Sequence, residues 1–439
     1  MSKKLSVFLI LIVFVCGTAF AAPKSVIMMV ADGWGFEHLS AAEYYDNGGE
    51  TKFFDWMTLL AMSTYSASGN GYDQEKAWSD FDYVRQGATD SAAAATALST
   101  GVMTLDGRIG LDPEGERLKH LYQTAYERGK ATGVITDVLL AHATPAGFAA
   151  YAESRRNYDE ISTHMIAGTS IDVLMGTGHP YFDGDGKRLP PEEINDGRYR
   201  HVGGKQTWEG LRRGEVGTDA DGDGSPHPWT LIETREQFQA LGAGETPKRV
   251  LGLAQVASTL QGERAGDPFA DAFVAPMTET VPTLAEMTRG ALNVLGTNQN
   301  GLFLMVEGGA IDWAGHGNAS GRLIEEQISF RDAVYAARDW IEANSSWSET
   351  LLIVTADHET GYLTGPAEDG VWAPVENRGK GNMPGMKWNS ENHTNSLVPL
   401  FVKGAGVDVI SAKAVDGDPV RGNYLHATEL AKILHEFWK

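Results

Sequence analysis

Four short apolar runs, each broken off at once by polar residues, constrain this chain more than anything else in it. "SVIMMV" (25–30) runs into Ala31-Asp32-Gly33, and "ATGVIT" (131–136) into Asp137 and then Ala141-His142-Ala143-Thr144. "GLFLMV" (301–306) runs into Glu307-Gly308-Gly309, and "TLLIVT" (350–355) into Ala356-Asp357-His358. Six-residue runs with no polar alternation read as strands buried on both faces. Between them lie helical stretches, at Leu118 to Arg128, Ile324 to Ala343 and Thr428 to Phe437. This alternation predicts an α/β fold: a large, mostly parallel (mixed) central sheet with helices on both faces. Sites in such sheets form at the carboxyl ends of the strands, so the polar residues that end each run are candidates to converge. His393, in "ENHTNSLVPLFVKGAG", precedes its apolar run instead of following it. Either that strand runs antiparallel or a loop returns His393 to the same edge, and a mixed sheet is expected.

The ends and the composition narrow the class. Lys3 and Lys4, the apolar stretch Leu5 to Val15 and Ala19-Phe20-Ala21 form a secretory signal peptide over residues 1–21, with cleavage expected after Ala21. A periplasmic or secreted protein is therefore expected. Val15 stands before Cys16 where a lipoprotein would carry a small residue, which argues against lipidation. Cleavage removes Cys16, the only cysteine, and two lysines, taking the formal net charge from −22 to −24. Core packing, and possible metals, must hold the chain instead of disulfides. Such acidity repels nucleic acid, and no later apolar run is long enough to span a membrane. Residues 22–439 read as a single catalytic domain, with loop insertions rich in Gly, Asp and Pro near 176–228 and 361–392.

The strand ends supply Asp32, Glu307, Asp357 and His358, and nearby lie Asp312, His316 and His393. Taken singly, each has an ordinary reading as a helix cap, a surface acid or a core histidine. Together they are the oxygen and nitrogen donors of an open zinc site. Asp312 and His316 are four apart, so on a helix both face one way. Asp357 and His358 at a strand end allow one loop to serve two metals. A fifth stretch, "GATDSAAAAT" (87–96), reads as an alanine helix whose start is capped by Asp90 or Ser91.

In order along the chain, Asp32-Gly33, Thr89-Asp90-Ser91-Ala92-Ala93, Thr144-Pro145, "VEGGAIDWAGH", "TADH" and His393 resemble the alkaline phosphatase family over residues 26 to about 403. The resemblance implies a phosphomonoesterase with an alkaline pH optimum, two Zn2+ and one Mg2+ per chain, broad-range phosphate monoester substrates and a homodimer. It implies that Ser91 is the nucleophile of a phosphoserine intermediate. It assigns Asp312, His316 and His393 to one zinc, Asp32, Asp357 and His358 to the second, and Asp32, Thr144 and Glu307 to magnesium. Arg155, 11 residues after Thr144, matches the arginine that grips phosphate, with Arg156 as its built-in competitor. Two positions depart from the best-known bacterial member: His142 replaces an aspartate and Trp313 a lysine, both beside the third metal and the phosphate. An imidazole at 142 is expected to weaken magnesium.

Two rival readings remain at this point. A diesterase or sulfatase of the same superfamily would differ around the nucleophile, and a secreted metal-storage module would turn nothing over. Asp219-Ala220-Asp221-Gly222-Asp223-Gly224 opens like a calcium loop, but its twelfth position is Thr230 and not an acid, so an acidic surface turn is expected.

Overall fold

The computed structural model describes residues 22–218 and 227–439. The signal-peptide reading on residues 1–21 and the acidic stretch 219–224 lie outside the described residues. The central sheet has eleven strands: β1 Ser25–Ala31, β2 Thr58–Ser63, β3 Ala131–Leu139, β4 Val173–Thr177, β5 Thr230–Ile232, β6 Val250–Leu253, β7 Leu302–Gly308, β8 Thr350–Thr355, β9 Val398–Gly404, β10 Asp416–Asp418 and β11 Gly422–His426. Their spatial order is β10-β11-β2-β9-β8-β1-β7-β3-β4-β6-β5. The four apolar runs are thus the four adjacent central strands β8, β1, β7 and β3. Each is covered on both faces, which is why each lacks polar alternation.

β1 pairs parallel with both β8 and β7, setting Val26 beside Leu351 and Phe303, and β3 pairs parallel with β7 and β4. β9 runs antiparallel to β8 and β2, and β10 to β11, so the sheet is mixed. Of the two routes open to His393, the antiparallel one holds. The amino end of β9 lies at the carboxyl edge of its neighbours, and a two-residue ladder of Glu359–Thr360 with His393–Thr394 pins the approach.

Eight helices matter for the site: α1 Phe36–Asn47, α2 Ser91–Thr100, α3 Leu121–Glu127, α4 Ala143–Ala149, α5 Leu284–Leu295, α6 Ala310–His316, α7 Ser320–Asn344 and α8 Ala427–Phe437. α1, α5 and α7 pack together over one face, and α2, α3, α4 and α8 form the other layer. The alanines of α2 serve helix–helix contact more than contact with the sheet. Its main neighbours are α4 and α8, and a Cβ on Gly147 of α4 would stand 2.6 Å from Ala95 Cβ. β3 runs three residues beyond its apolar stretch, through Asp137. Burial raises Asp137 to about 7, and the Gly309 amide that its Oδ1 accepts at 2.6 Å offsets part of that cost.

Candidate active site

The carboxyl ends of the central strands deliver an inner pocket. Asp32 follows β1, Asp357 follows β8, and Glu307 lies near the end of β7; all three side chains are fully buried. Asp357 Oδ1 accepts the amides of Gly33 at 3.1 Å and of His358 at 2.9 Å, which locks the strand end. Gly33 has φ +75°, and a Cβ there would lie 2.6 Å from Asp312 Cα, so only glycine admits the helix that carries Asp312. Thr144, at the start of α4, donates to Asp32 Oδ2 at 3.3 Å. Single donor atoms of Asp32, His142 and Glu307 lie within 4.8 Å of one another, as do those of Asp32, Asp357 and His358. His142, expected behind the metal, thus presents a ring nitrogen among the carboxylate oxygens. Its ring meets that of Trp313 edge-on at 5.6 Å, so Trp313 walls this side.

Outside this pocket lies a rim. Asp312, His358 and His393 form a third group of donors within 4.8 Å. His316 joins it from the more exposed side: its Nε2 is 3.4 Å from Asp312 Oδ2 and 3.1 Å from His393 Nε2. Nδ1 of His316 donates to the Glu391 carbonyl at 2.6 Å, and Nδ1 of His393 to the Thr89 carbonyl at 2.8 Å. With both Nδ1 atoms committed as donors, each ring turns its Nε2 into the rim, where without a cation a proton on His393 Nε2 serves Asp312 and a metal ion would take the bare nitrogen in its place.

Ser91 is the first residue of α2, and its Oγ lies 3.2 Å from His358 Nε2. Asp90 is the N-cap. Its Oδ1 accepts the amides of Ala93 and Gly107, both at 3.0 Å, and its Oδ2 pairs with Arg155 Nη1 at 3.0 Å. One carboxylate therefore aims both the serine turn and the arginine. Ser91, Asp90, Arg155, Asp312, His316 and His393 all line one open cavity of about 480 Å³. Arg156 is exposed and is not among its walls.

The electrostatics set the two parts apart. Burial, then the charges of Asp357, Asp312 and Glu307, push Asp32 well above the usual carboxylate range. Burial raises Glu307 to about 8 and, with Asp312 beside it, Asp357 to about 6. Burial acts on Asp312 too, but His393, His358 and His316 outweigh it and hold that carboxyl well below its ordinary value. Burial, reinforced by the Arg155 charge, lowers His142 to about 3. Asp32 Oδ1, Asp357 Oδ2 and both Glu307 oxygens are buried without a hydrogen-bond partner. Carboxylates left this way are costly unless protonated or paired with cations, so the residues present fit divalent metal ions.

Thr360 was not among the expected site residues, yet it is fully buried at the junction of pocket and rim. Its hydroxyl donates to Asp312 Oδ1 at 2.5 Å and lies 3.3 Å from His358 Nδ1. Having spent its proton on Asp312, it is the acceptor for His358 Nδ1–H, leaving Nε2 bare toward Ser91. The only signal in the sequence was its place two residues after His358.

A model of the family described as alkaline phosphatase matches residues 23–423. Alkaline phosphatase 4 of Bacillus subtilis strain 168 is 32% identical over 349 residues, covering 78% of this chain and 62% of that protein. Alkaline phosphatase of Escherichia coli K12 is 31% identical over 353 residues, covering 76% of this chain and 70% of that one. The chain spans a little over three-fifths of the length of two Bacillus subtilis relatives it matches. The crystal structure of a cold-active alkaline phosphatase from a psychrophilic Shewanella superposes with a TM-score of 0.66 at 24% identity, covering 94% of this chain and all of that one. The same fold therefore carries both chains. With the motifs, the sheet and the family match in agreement, this chain belongs to the alkaline phosphatase family.

Proposed function

We propose that this chain is an exported phosphomonoesterase that hydrolyses a broad range of phosphate monoesters through phospho-Ser91, with two Zn2+ and one Mg2+ per chain, and acts as a homodimer. The observation that carries the reading is the meeting of Ser91 Oγ, Arg155, Asp312, His316 and His393 at one cavity, with His358 joining them to the two buried donor groups that share Asp32. Asp312, His316 and His393 would hold one zinc, and Asp32, Asp357 and His358 the other. Asp32, Thr144 and Glu307 would hold magnesium, with His142 at its edge. Four carboxylates balance two divalent cations, and a third leaves the site cationic, which suits a phosphate dianion. When bound, the metals supply Lewis acidity that lowers the pKa of the serine hydroxyl and stabilises the departing oxygen.

The chain's own residues do the rest. Arg155 holds two phosphate oxygens through its planar fork, and Asp90 keeps that fork in place. The N-terminal amides of α2 face the same oxygens. Ser91 Oγ attacks phosphorus in line as the bond to the leaving alcohol breaks, and water then displaces Ser91 to release inorganic phosphate. The grip is on phosphate and not on the leaving group, so broad substrate scope follows. Export rests on residues 1–21; no described helix is long and apolar enough to cross a membrane.

Steady-state assays on a phosphate monoester, a diester and a sulfate ester, with zinc and magnesium supplied, test the reading. Monoester turnover lost on Ser91→Ala or with EDTA, and little diester activity, is expected. Strong sulfate turnover, or activity untouched by EDTA, would overturn it. Metal uptake without any hydrolysis would favour the storage reading.

A further inference from the structure

A second cavity, about 330 Å³, lies at the same edge of the sheet, away from Ser91. Leu139, the last residue of β3, lines it together with Gly178 after β4 and Ser258 beyond β6. These strands run parallel, so the cavity opens at their carboxyl ends, where α/β sheets place ligands. It adjoins the first site through one turn, in which the His142 amide donates to the Leu139 carbonyl at 2.8 Å. Its remaining polar walls are Arg198, Arg200, His201 and His179, the last of which is paired with Glu233 at 2.7 Å.

Their hydrogen bonding leaves donors unspent. Arg200 Nε donates to His201 Nε2 at 2.9 Å, so the proton of the neutral ring sits on Nδ1. His201 is only 5% exposed, and its Nδ1 has no acceptor. Arg198 spends one Nη1 bond on the Phe182 carbonyl at 3.2 Å, and Arg200 stacks over Tyr158 at 5.2 Å. Among the described residues neither guanidinium has a carboxylate partner, although acids outnumber bases by 22 in this chain and Arg108, Arg331 and Arg421 each find one. Two planar forks, with no acid among the lining residues, suit the oxygens of a phosphate or carboxylate.

We propose that the Arg198–Arg200–His201 cavity is a second oxyanion-binding site, next to the catalytic cluster and distinct from it. Two sources share the required chemistry: free inorganic phosphate, and the distal acidic group of a monoester that carries one. The second source alone rests on the phosphomonoesterase reading.

The test titrates inorganic phosphate into the metal-loaded wild-type chain and into an Arg198→Ala/Arg200→Ala variant by calorimetry. One phosphate fewer per chain is expected in the variant, with turnover of a small uncharged-alcohol monoester within about twofold of wild type. An Arg198→Lys/Arg200→Lys variant, which keeps the charge and the fold, is expected to keep the second phosphate at weaker affinity. A parallel comparison of kcat/KM for a bisphosphate and a monophosphate identifies the source. A bisphosphate preference that the Ala variant loses assigns the distal group; a lost phosphate without a lost preference assigns the free ion. Equal phosphate stoichiometry in wild type and Ala variant, with unchanged substrate preference, overturns the proposal. The stoichiometry needs no turnover, so its failure is distinguishable from failure of the hydrolase reading.

Discussion

The inner pocket and the rim hold the same kinds of residue but reach charge balance in opposite ways. In the rim, Asp312 is surrounded by His316, His358 and His393, and Thr360 donates to it, so its carboxylate is satisfied by the chain itself. In the pocket, Asp32 accepts from Thr144 and Asp357 from two amides, but among the described residues no Lys or Arg pairs with them or with Glu307, and four of their oxygens go without partners. The rim is prearranged, whereas the pocket is incomplete without cations. Exchanging one residue on each side tests this contrast most strongly. Asp32 belongs to two of the three donor groups, so Asp32→Asn is expected to lower kcat/KM by on the order of 10³-fold and to resist rescue by added metal. His316→Ala, on the exposed side, is expected to lose about 10- to 100-fold and to recover with excess zinc. Equal losses and equal rescue would remove the distinction.

Stability against pH separates the two parts next. Between its ordinary value of 4.5 and about 8, Glu307 in the folded, metal-free chain holds a proton that the unfolded chain has released. Its contribution is thus fully present at acid pH and is lost as pH rises through about 8. Asp357, raised to about 6, and Asp32 act in the same direction. Asp312 has the opposite sign: held low, it stabilises above its ordinary range and fails only in acid. At about 1.4 kcal/mol per pKa unit, Glu307 alone is worth on the order of 5 kcal/mol over that interval. The chelated protein is therefore expected to have a lower Tm at pH 8.5 than at pH 5.5, and the metal-loaded protein a much flatter profile. Parallel profiles with and without metal would show that the pocket carboxylates are not what the cations neutralise.

Thr360 joins the two parts, and its removal is expected to have an intermediate effect. Thr360→Val keeps the shape but takes the donor from Asp312 and the acceptor from His358 Nδ1. Zinc affinity measured by competition with a chelator is expected to fall about 10- to 100-fold, with Thr360→Ser restoring most of it. Unchanged affinity in the Val variant would reduce Thr360 to packing.

How much of this was legible in the sequence follows from where each residue sits. Asp32, Glu307 and Asp357 are placed by the ends of apolar runs, and a strand that ends at one edge of a parallel sheet leaves little freedom for the next residue. His393 was legible only as a choice between two routes, because strand direction depends on pairing between residues 47 or more apart, such as Leu352 with Lys403. Thr360 was not legible as a site residue, and Asp137, a candidate because it ends an apolar run, was not legible by its partner. The role of each comes from a partner distant in sequence, Asp312 for one and the Gly309 amide for the other. The alanine run of α2 was legible as a helix, and only the placement of α4 and α8 shows what it packs against. Local pattern reports burial well, but it does not report against what.

The smallest expected effect concerns His142, the imidazole grouped with Asp32 and Glu307. Its ring carries no charge there, since burial and Arg155 hold it down to about 3, and its Nδ1 has no hydrogen-bond partner. His142→Asp would add another carboxylate beside Asp32 and Glu307, making the pocket more dependent on its cations. Magnesium is expected to bind about tenfold more tightly, read from the activation midpoint in a magnesium titration. The metal-free variant is expected to melt below wild type at pH 8.5, because one more buried acid must be neutralised without a metal. Tighter magnesium also predicts slower release of phosphate and a lower kcat in the variant. If magnesium affinity does not rise while the metal-free Tm falls, the added charge lies in the pocket but not at the magnesium position, and the assignment of Asp32, Thr144 and Glu307 to that ion has to move.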